Sequence, residues 1–414
     1  MLTEIITIGD ELLIGQVVDT NSAWMAQQLN LIGLKVYQIT SVSDSREHIL
    51  KALKEAAMRV DIILITGGLG PTRDDITKNT LCSYFNVGLK FDQKSFDIIE
   101  SIFLSRGRTV TDINRKQAEV PENCTVIHNR LGTAPGMMFD VDNKIYISMP
   151  GVPTEMKGLM EHSILPLLKE RFNLTPLVHK TILTQGVGES FLAEKITDWE
   201  DSLPVNMKLA YLPATGMVRL RISASGNNED VLRKEVEAEL QKLLEIIPEY
   251  VYGFDEEKLE EIVGKLLRHQ NKTISTAESC TGGFIAHKLT SIPGSSEYYM
   301  GSIVAYSNEV KKNQLEVDMT TIENYGAVSE NVVRQMANHA LRIFNTDVSN
   351  ACSGIAGPAG GTPEKPVGTV WIAIATCDKT ITKKLQLGSH RERIIIETAQ
   401  HALNMLRKIL LNKY

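Results

Sequence analysis

The segment Asp61-Ile62-Ile63-Leu64-Ile65-Thr66 is apolar at every interior position and runs directly into Gly67-Gly68-Leu69-Gly70-Pro71. A strand with no polar face has to be covered on both sides, which is the condition of a central strand in a parallel sheet. Residues 46–60 carry Ile49, Leu53, Ala56, Ala57 and Val60 on one stripe, the pattern of a helix packed on such a sheet. Residues 4–9 and 35–39 read as further strands and 21–31 as a further helix. This alternation predicts an α/β, mostly parallel three-layer domain over residues 1–172.

Ligands of such sheets bind at the carboxyl ends of the strands, where Gly67, Gly68 and Gly70 stand. Glycines let the backbone approach a bulky anion, and the N–H groups of the turn suit phosphate. Asp74 and Asp75, a few residues on, repel phosphate themselves and suit a divalent ion that bridges to it. A glycine-rich turn with an acidic helix start is the plainer alternative.

Residues 173–252 read as a small α+β module: strands over 181–184 and 219–225, and a long helix over 230–247 with Leu232, Val236, Leu240, Leu243 and Leu244 inward. Pro248-Glu249-Tyr250-Val251-Tyr252-Gly253 breaks that helix and marks a boundary. The last third, 253–414, returns to α/β alternation, with helices over 256–269, 329–344 and 394–411, a buried strand over 370–375, and Ser329 as an N-cap. Within it, residues 272–277 alternate like a strand and 282–289 read as a helix, so Ser279 falls on a strand-to-helix turn. A hydroxyl there is held and exposed, and the first N–H groups of the following helix point at whatever it attacks. Lys311, after Tyr306-Ser307-Asn308-Glu309-Val310, is a base for it if its pKa is lowered. Taken alone, Ser279 reads first as a helix cap, Lys311 as one solvated lysine beside Lys312, and Tyr306 as a core aromatic. Cys280 invites a thiol-nucleophile reading, but no histidine stands in a motif that would serve it.

Composition narrows the classes. A net charge of −6 argues against a nucleic-acid binder that depends on a global positive field. Five scattered cysteines without a Cys-x-x-Cys pair fit neither a disulfide framework nor a zinc site, and they fit a reducing cytoplasm. The start of the chain carries no basic segment of a signal peptide, and no apolar run approaches the roughly 18 residues of a membrane helix. The expectation is a cytoplasmic protein without a membrane or nucleic-acid partner.

In order, the chain carries Ala277-Glu278-Ser279-Cys280-Thr281-Gly282-Gly283, Tyr306-Ser307-Asn308-Glu309, Tyr325-Gly326-Ala327-Val328-Ser329-Glu330, Ser353-Gly354-Ile355-Ala356-Gly357-Pro358 and Lys365-Pro366-Val367-Gly368-Thr369-Val370. This set resembles the nicotinamide-nucleotide amidase domain of the CinA/PncC family. The resemblance implies deamidation of nicotinamide mononucleotide (NMN) with Ser279 as nucleophile, Lys311 as base and Tyr306 lining the pocket. It implies an oxyanion held near Thr281, Gly282 and Gly283, and no cofactor for this half. Ser353, Gly354 and Gly357 would meet the nucleotide, and Arg391 its phosphate, although Ser389 and His390 stand where the family's Gly-Asp-Arg motif has glycine and aspartate.

Gly9-Asp10-Glu11-Leu12-Leu13-Ile14-Gly15, Asp19-Thr20-Asn21-Ser22, the loop 66–77 and Pro150-Gly151-Val152-Pro153-Thr154-Glu155-Met156 resemble the molybdopterin-binding domain family, in the version fused to amidase domains in CinA proteins. That resemblance implies metal-dependent hydrolysis of ADP-ribose, with Asp75 at the metal and Asp10, Asn21 and Glu155 in the nucleotide site. Glu155 is equally a helix-start acid favoured by the dipole. The middle segment is similar to the family's KH-like domain but has no Gly-x-x-Gly clamp. Its eight Lys and Arg against twelve Asp and Glu between residues 175 and 252 indicate a spacer or assembly module, within an expected homodimer. The rival class is a non-catalytic regulatory protein that binds a pterin or nucleotide and is associated with competence or DNA damage.

Overall fold

The computed structural model describes residues 1–72, 74–172 and 174–413, so Arg73 of the glycine loop and Asn173 at the expected first boundary lie outside the described residues. The chain forms two compact units, Met1–Val178 with Ser225–Arg233, and His179–Ala224 with Lys234–Tyr414.

In the first unit six strands form one sheet in the order Lys35–Val42, Leu2–Ile8, Ile62–Thr66, Lys144–Met149, Gly136–Val141, Thr125–Ile127. The first four run parallel and the last two antiparallel. Ile62–Thr66 is buried along its whole length, as its sequence requires. Its alternate side chains feed two cores. Ile62 and Leu64 pack with Met25, Leu29 and Met156 on one face, and Ile63 and Ile65 with Ile49, Leu53 and Leu81 on the other. The three layers follow from that division. Gly67, at φ 111°, ends the strand where an added Cβ would lie 2.1 Å from the Ile8 carbonyl oxygen, so two strand ends close on each other there.

The middle sheet has the order Met207–Ala214, Met217–Ser225, Leu177–Gln185, Val251–Phe254. The helix Glu229–Ile246 stops ahead of Pro248. The residues past that proline form the fourth strand, antiparallel to Leu177–Gln185. Tyr252 from this strand, together with Leu183, enters the core of the carboxyl-terminal part.

There a five-stranded sheet has the order Tyr299–Val304, Ile274–Glu278, Val348–Gly354, Thr369–Thr376, Thr380–Gln386. The first three strands are parallel and the last two antiparallel. Helices Leu259–His269 and Arg391–Leu410 cover one face, and Glu330–Phe344 covers the other. Ser329 caps that last helix by accepting the Val332 N–H at 3.3 Å. The helix expected from residue 256 begins at Leu259, because Asp255 takes a φ of 53° and Glu257 accepts the Phe254 N–H at 2.9 Å, a turn that delays it. At Gly368 (φ 91°) a Cβ would lie 2.2 Å from the Gly388 carbonyl oxygen, so the loops before residue 368 and after residue 387 meet closely. Among the described residues no helix is long and apolar enough to cross a membrane.

Candidate active site

The three parallel strands of the carboxyl-terminal sheet end side by side, with Glu278 level with Val304 and Cys352. The chain leaves Ile274–Glu278 for the strand on one side and later returns to the strand on the other. Such a reversal opens a crevice at the strand ends. Ser279 is the first residue past the central strand, and Phe284–Thr290 is the helix that follows.

Glu278 organises the turn between them. Its carboxylate is buried and accepts from Thr281 Oγ1 (2.6 Å) and from the backbone N–H groups of Gly283 (3.1 Å), Ile285 (3.0 Å) and Ala286 (2.7 Å). A negative charge at the helix start satisfies donors that have no partner within the helix and matches the dipole. The Gly282 N–H donates to the Ser279 carbonyl (3.2 Å). The resemblance placed the oxyanion near Thr281, Gly282 and Gly283, but the Gly282 and Gly283 N–H groups are thus already engaged. Among the described residues, the N–H groups of Cys280 and Thr281 have no backbone or side-chain acceptor on another residue. They are the donors available beside Ser279.

Lys311 reaches Ser279 from the second element. It lies on the helix Asn308–Leu315, which Ser307 caps by accepting the Val310 N–H. The phase of that helix buries Lys311 and exposes Lys312, which separates the two lysines that sequence left side by side. Lys311 Nζ lies 3.0 Å from Ser279 Oγ and 2.8 Å from the Ala305 carbonyl oxygen. Burial pushes its pKa below the ordinary lysine value, against a smaller opposing pull from Cys280 and Cys352. Cys280 behaves oppositely. Its hydrogen bond with Cys352, and then burial, hold its thiol well above the ordinary range, so it stays protonated beside the serine.

The remaining expected residues divide. Tyr306 is exposed, and its hydroxyl accepts from Arg391 Nη2 at 2.8 Å, while Arg391 Nη1 donates to the Gly357 carbonyl at 2.7 Å. Tyr306, Arg391 and Gly357 therefore form one cluster, joined to the dyad through Ala305, the neighbour of Tyr306. Gly354 closes its strand, and Cys280 Sγ lies 3.0 Å from where a Cβ at Gly354 would stand. Ser353 departs from its expected role. It is fully buried, and its hydroxyl donates to the Ala327 carbonyl at 2.7 Å, so it braces the loop rather than offering a donor to a nucleotide.

In the amino-terminal unit, Gly67, Gly68, Gly70, Asp75 and Glu155 line a pocket of about 360 Å³. Asp75 Oδ2 accepts from the Thr72 N–H (2.9 Å) and hydroxyl (2.5 Å), which closes the turn and sets Asp75 on the pocket wall. Asn21 donates to the Gly151 carbonyl (2.7 Å) at the pocket edge. Glu155 accepts from Asn129 (2.7 Å), and burial raises its pKa. Asp10 lies against Asp44, the backbone N–H of each meeting the carboxylate of the other at 3.0 and 3.3 Å. Burial, and then the charges of Asp10, Glu11 and Asp74, raise the Asp44 pKa against the pull of the Asp10 N–H. Among the described residues, no three His, Cys, Asp or Glu side chains converge as a metal shell. Sequence reasoning passed over Asp44, which has no motif around it, and Glu278, which stood inside a quoted motif as the acid directly before the nucleophile.

Fold and sites together define a three-domain α/β protein with candidate ligand sites at the strand ends of both α/β parts. Family profiles match each part: "CinA C-terminal domain" over residues 256–410, "Probable molybdopterin binding domain" over 4–170, and "Damage-inducible protein CinA KH domain" over 179–253. A CinA-like protein of Cytophaga hutchinsonii is 50% identical over 407 residues, 98% of this chain and 97% of its own. One of Flavobacterium psychrophilum is 46% identical over 419 residues, all of both chains. The chain belongs to the CinA-like protein family. The crystal structure of the competence/damage inducible protein CihA from Agrobacterium tumefaciens matches 37% of this chain and 95% of its own at 38% identity, with a TM-score of 0.35.

Replacing Glu278 with alanine strands three helix-start N–H groups and a threonine hydroxyl in a buried place. Glu278→Ala should lose about 3 kcal/mol of stability in denaturant unfolding, with amide exchange accelerated at Gly283, Ile285 and Ala286. Unchanged stability and exchange would mean that the carboxylate does not hold the turn.

Proposed function

We propose that the carboxyl-terminal part deamidates NMN to nicotinate mononucleotide and ammonia. The observation that carries this reading is the buried Lys311 amine 3.0 Å from Ser279 Oγ, with its pKa lowered by burial. In its neutral form the amine donates one N–H to the Ala305 carbonyl and turns its lone pair to the serine hydroxyl. Ser279 Oγ attacks the carboxamide carbon while its proton passes to Lys311 Nζ. The N–H groups of Cys280 and Thr281 face the oxygen that gains charge. Collapse of the tetrahedral intermediate breaks the C–N bond, and the proton on Lys311 goes to the departing nitrogen, which leaves as ammonia. Water, deprotonated by the same amine, then hydrolyses the serine ester and frees the acid. Arg391, held by Tyr306 and Gly357, offers its guanidinium to the nucleotide phosphate. The non-catalytic alternative gives no use to a buried nucleophile–base pair.

For the amino-terminal pocket we infer hydrolysis of a pyrophosphate-bearing nucleotide such as ADP-ribose with a divalent ion. The favouring observation is Asp44, whose carboxyl is destabilised as an anion by burial and by the acids around it. A cation relieves that repulsion. A magnesium-type ion needs only one or two protein carboxylates and takes its other oxygens from water and phosphate. Asp44 and Asp10 would hold it, and it would neutralise charge on the pyrophosphate.

Two variants test these readings. Lys311→Arg keeps the charge but cannot give up its proton, so ammonia release from NMN should fall at least about 100-fold while NMN binding by calorimetry survives. Because the free amine is the active form, the wild-type rate should rise with pH and level off above the lowered lysine pKa. A near wild-type rate in Lys311→Arg would remove the lysine from the base role. Asp44→Asn should abolish metal-dependent ADP-ribose hydrolysis, followed by chromatography of the products, and leave ammonia release unchanged. Retained ADP-ribose hydrolysis would exclude Asp44 from the metal site.

A further inference from the structure

A second cavity of about 300 Å³ lies in the carboxyl-terminal unit, where the middle sheet meets the helices of the last third. It shares no residue with the Ser279–Lys311 pair. Gln185 at the end of Leu177–Gln185, Arg219 on Met217–Ser225, Tyr252 on Val251–Phe254 and Gln400 on Arg391–Leu410 all line it.

Its polar groups are unfinished. Gln185 is 2% exposed, yet neither Nε2 nor Oε1 of its side chain has a partner among the described residues, and Gln400 Oε1 is also buried without one. A buried amide in that state carries its full desolvation cost, and proteins seldom leave such a group without an occupant to meet it. The Arg219 guanidinium makes no hydrogen bond or ion pair among the described residues; of the two lysines that also line the cavity, Lys258 and Lys288, the latter is taken by Glu260 at 3.1 Å. Tyr252 is fixed beside them, its hydroxyl donating to Met217 Sδ at 3.5 Å.

Each feature selects a part of the occupant. A glutamine amide with both donor and acceptor free matches the adjacent donor and acceptor on the edge of a nucleobase. Tyr252, 7% exposed, gives the amides an apolar wall to stand against. A free guanidinium recognises phosphate through two parallel N–H groups. The volume is at the small end for ligand pockets, which fits one nucleotide rather than a dinucleotide. Asp255, Glu256 and Glu257 on the rim disfavour an extended polyanion such as an RNA strand. We propose that this cavity binds a nucleoside monophosphate, with Gln185 and Gln400 on the base and Arg219 on the phosphate.

The test is calorimetric titration of the full chain with AMP, GMP, CMP and UMP, and with adenosine and inorganic phosphate as the separate halves. At least one monophosphate should bind one-to-one, and at least tenfold more tightly than either half. Arg219→Ala should weaken it at least tenfold. Gln185→Leu should abolish it while leaving the melting temperature equal or higher, since an unpartnered buried amide is replaced by an apolar isostere; Gln400→Leu repeats the test should that variant not fold. Absence of binding by all four monophosphates at millimolar concentration would overturn the proposal. So would binding indifferent to Arg219→Ala and Gln185→Leu, which places the ligand in another pocket. A lowered melting temperature in both glutamine variants would also overturn it, because the amides would then be bonded to internal water and structural.

Discussion

The Glu278 carboxylate is the contact on which the candidate active site depends. It ends a fully buried strand and accepts four hydrogen bonds from the turn and helix that follow. A buried carboxylate is tolerated only when such donors replace water. Here the donors are the helix-start N–H groups that also lack partners, so each side satisfies the other. The result fixes the direction in which the chain leaves the sheet, and with it Ser279. The same bonds take the Gly283 N–H out of use, and the turn takes that of Gly282. That leaves the N–H groups of Cys280 and Thr281, nearest the serine, without an acceptor on another described residue.

Lys311 depends on a different constraint. Its helix starts at a serine cap and its phase turns the amine inward, where burial makes the neutral form accessible. The Ala305 carbonyl then holds one N–H, and the adjacent Tyr306 hydroxyl holds Arg391. Backbone continuity across two residues therefore links the base to the cation that would meet a phosphate. The amino-terminal pocket is built differently. Gly67 packs closely on the Ile8 backbone and the acids around Asp44 repel one another, an arrangement suited to a cation and a phosphate together rather than to a covalent intermediate.

What could be read from sequence was what is local. Ile62–Thr66 declared its burial by having no polar face, and Ser329 declared its cap by standing directly before a helix with a hydrophobic stripe. The order of the strands and the family motifs brought Ser279 and Lys311 into one site. Missed features were long-range or concerned with hydrogen-bond accounting. The Arg391–Tyr306 contact spans 85 residues. Ser353 looked like a ligand donor, but its hydroxyl is spent on Ala327. Asp75 lines the expected pocket, but the closure of its turn through Thr72 carried no mark in the sequence. Gly282 and Gly283 were expected to offer N–H groups that Ser279 and Glu278 already hold. Residue type and spacing show which groups are present. Which of them remain free depends on partners that only the folded chain supplies.

The central claim is covalent catalysis by Ser279, and its most direct measurement is the mass of the enzyme during turnover. Protein mixed with NMN, quenched in acid and digested should yield the peptide containing Ser279 heavier by one NMN less one ammonia, with the mass localised on that serine. No adduct at any quench time, together with ammonia release at the wild-type rate by Ser279→Ala, would contradict it.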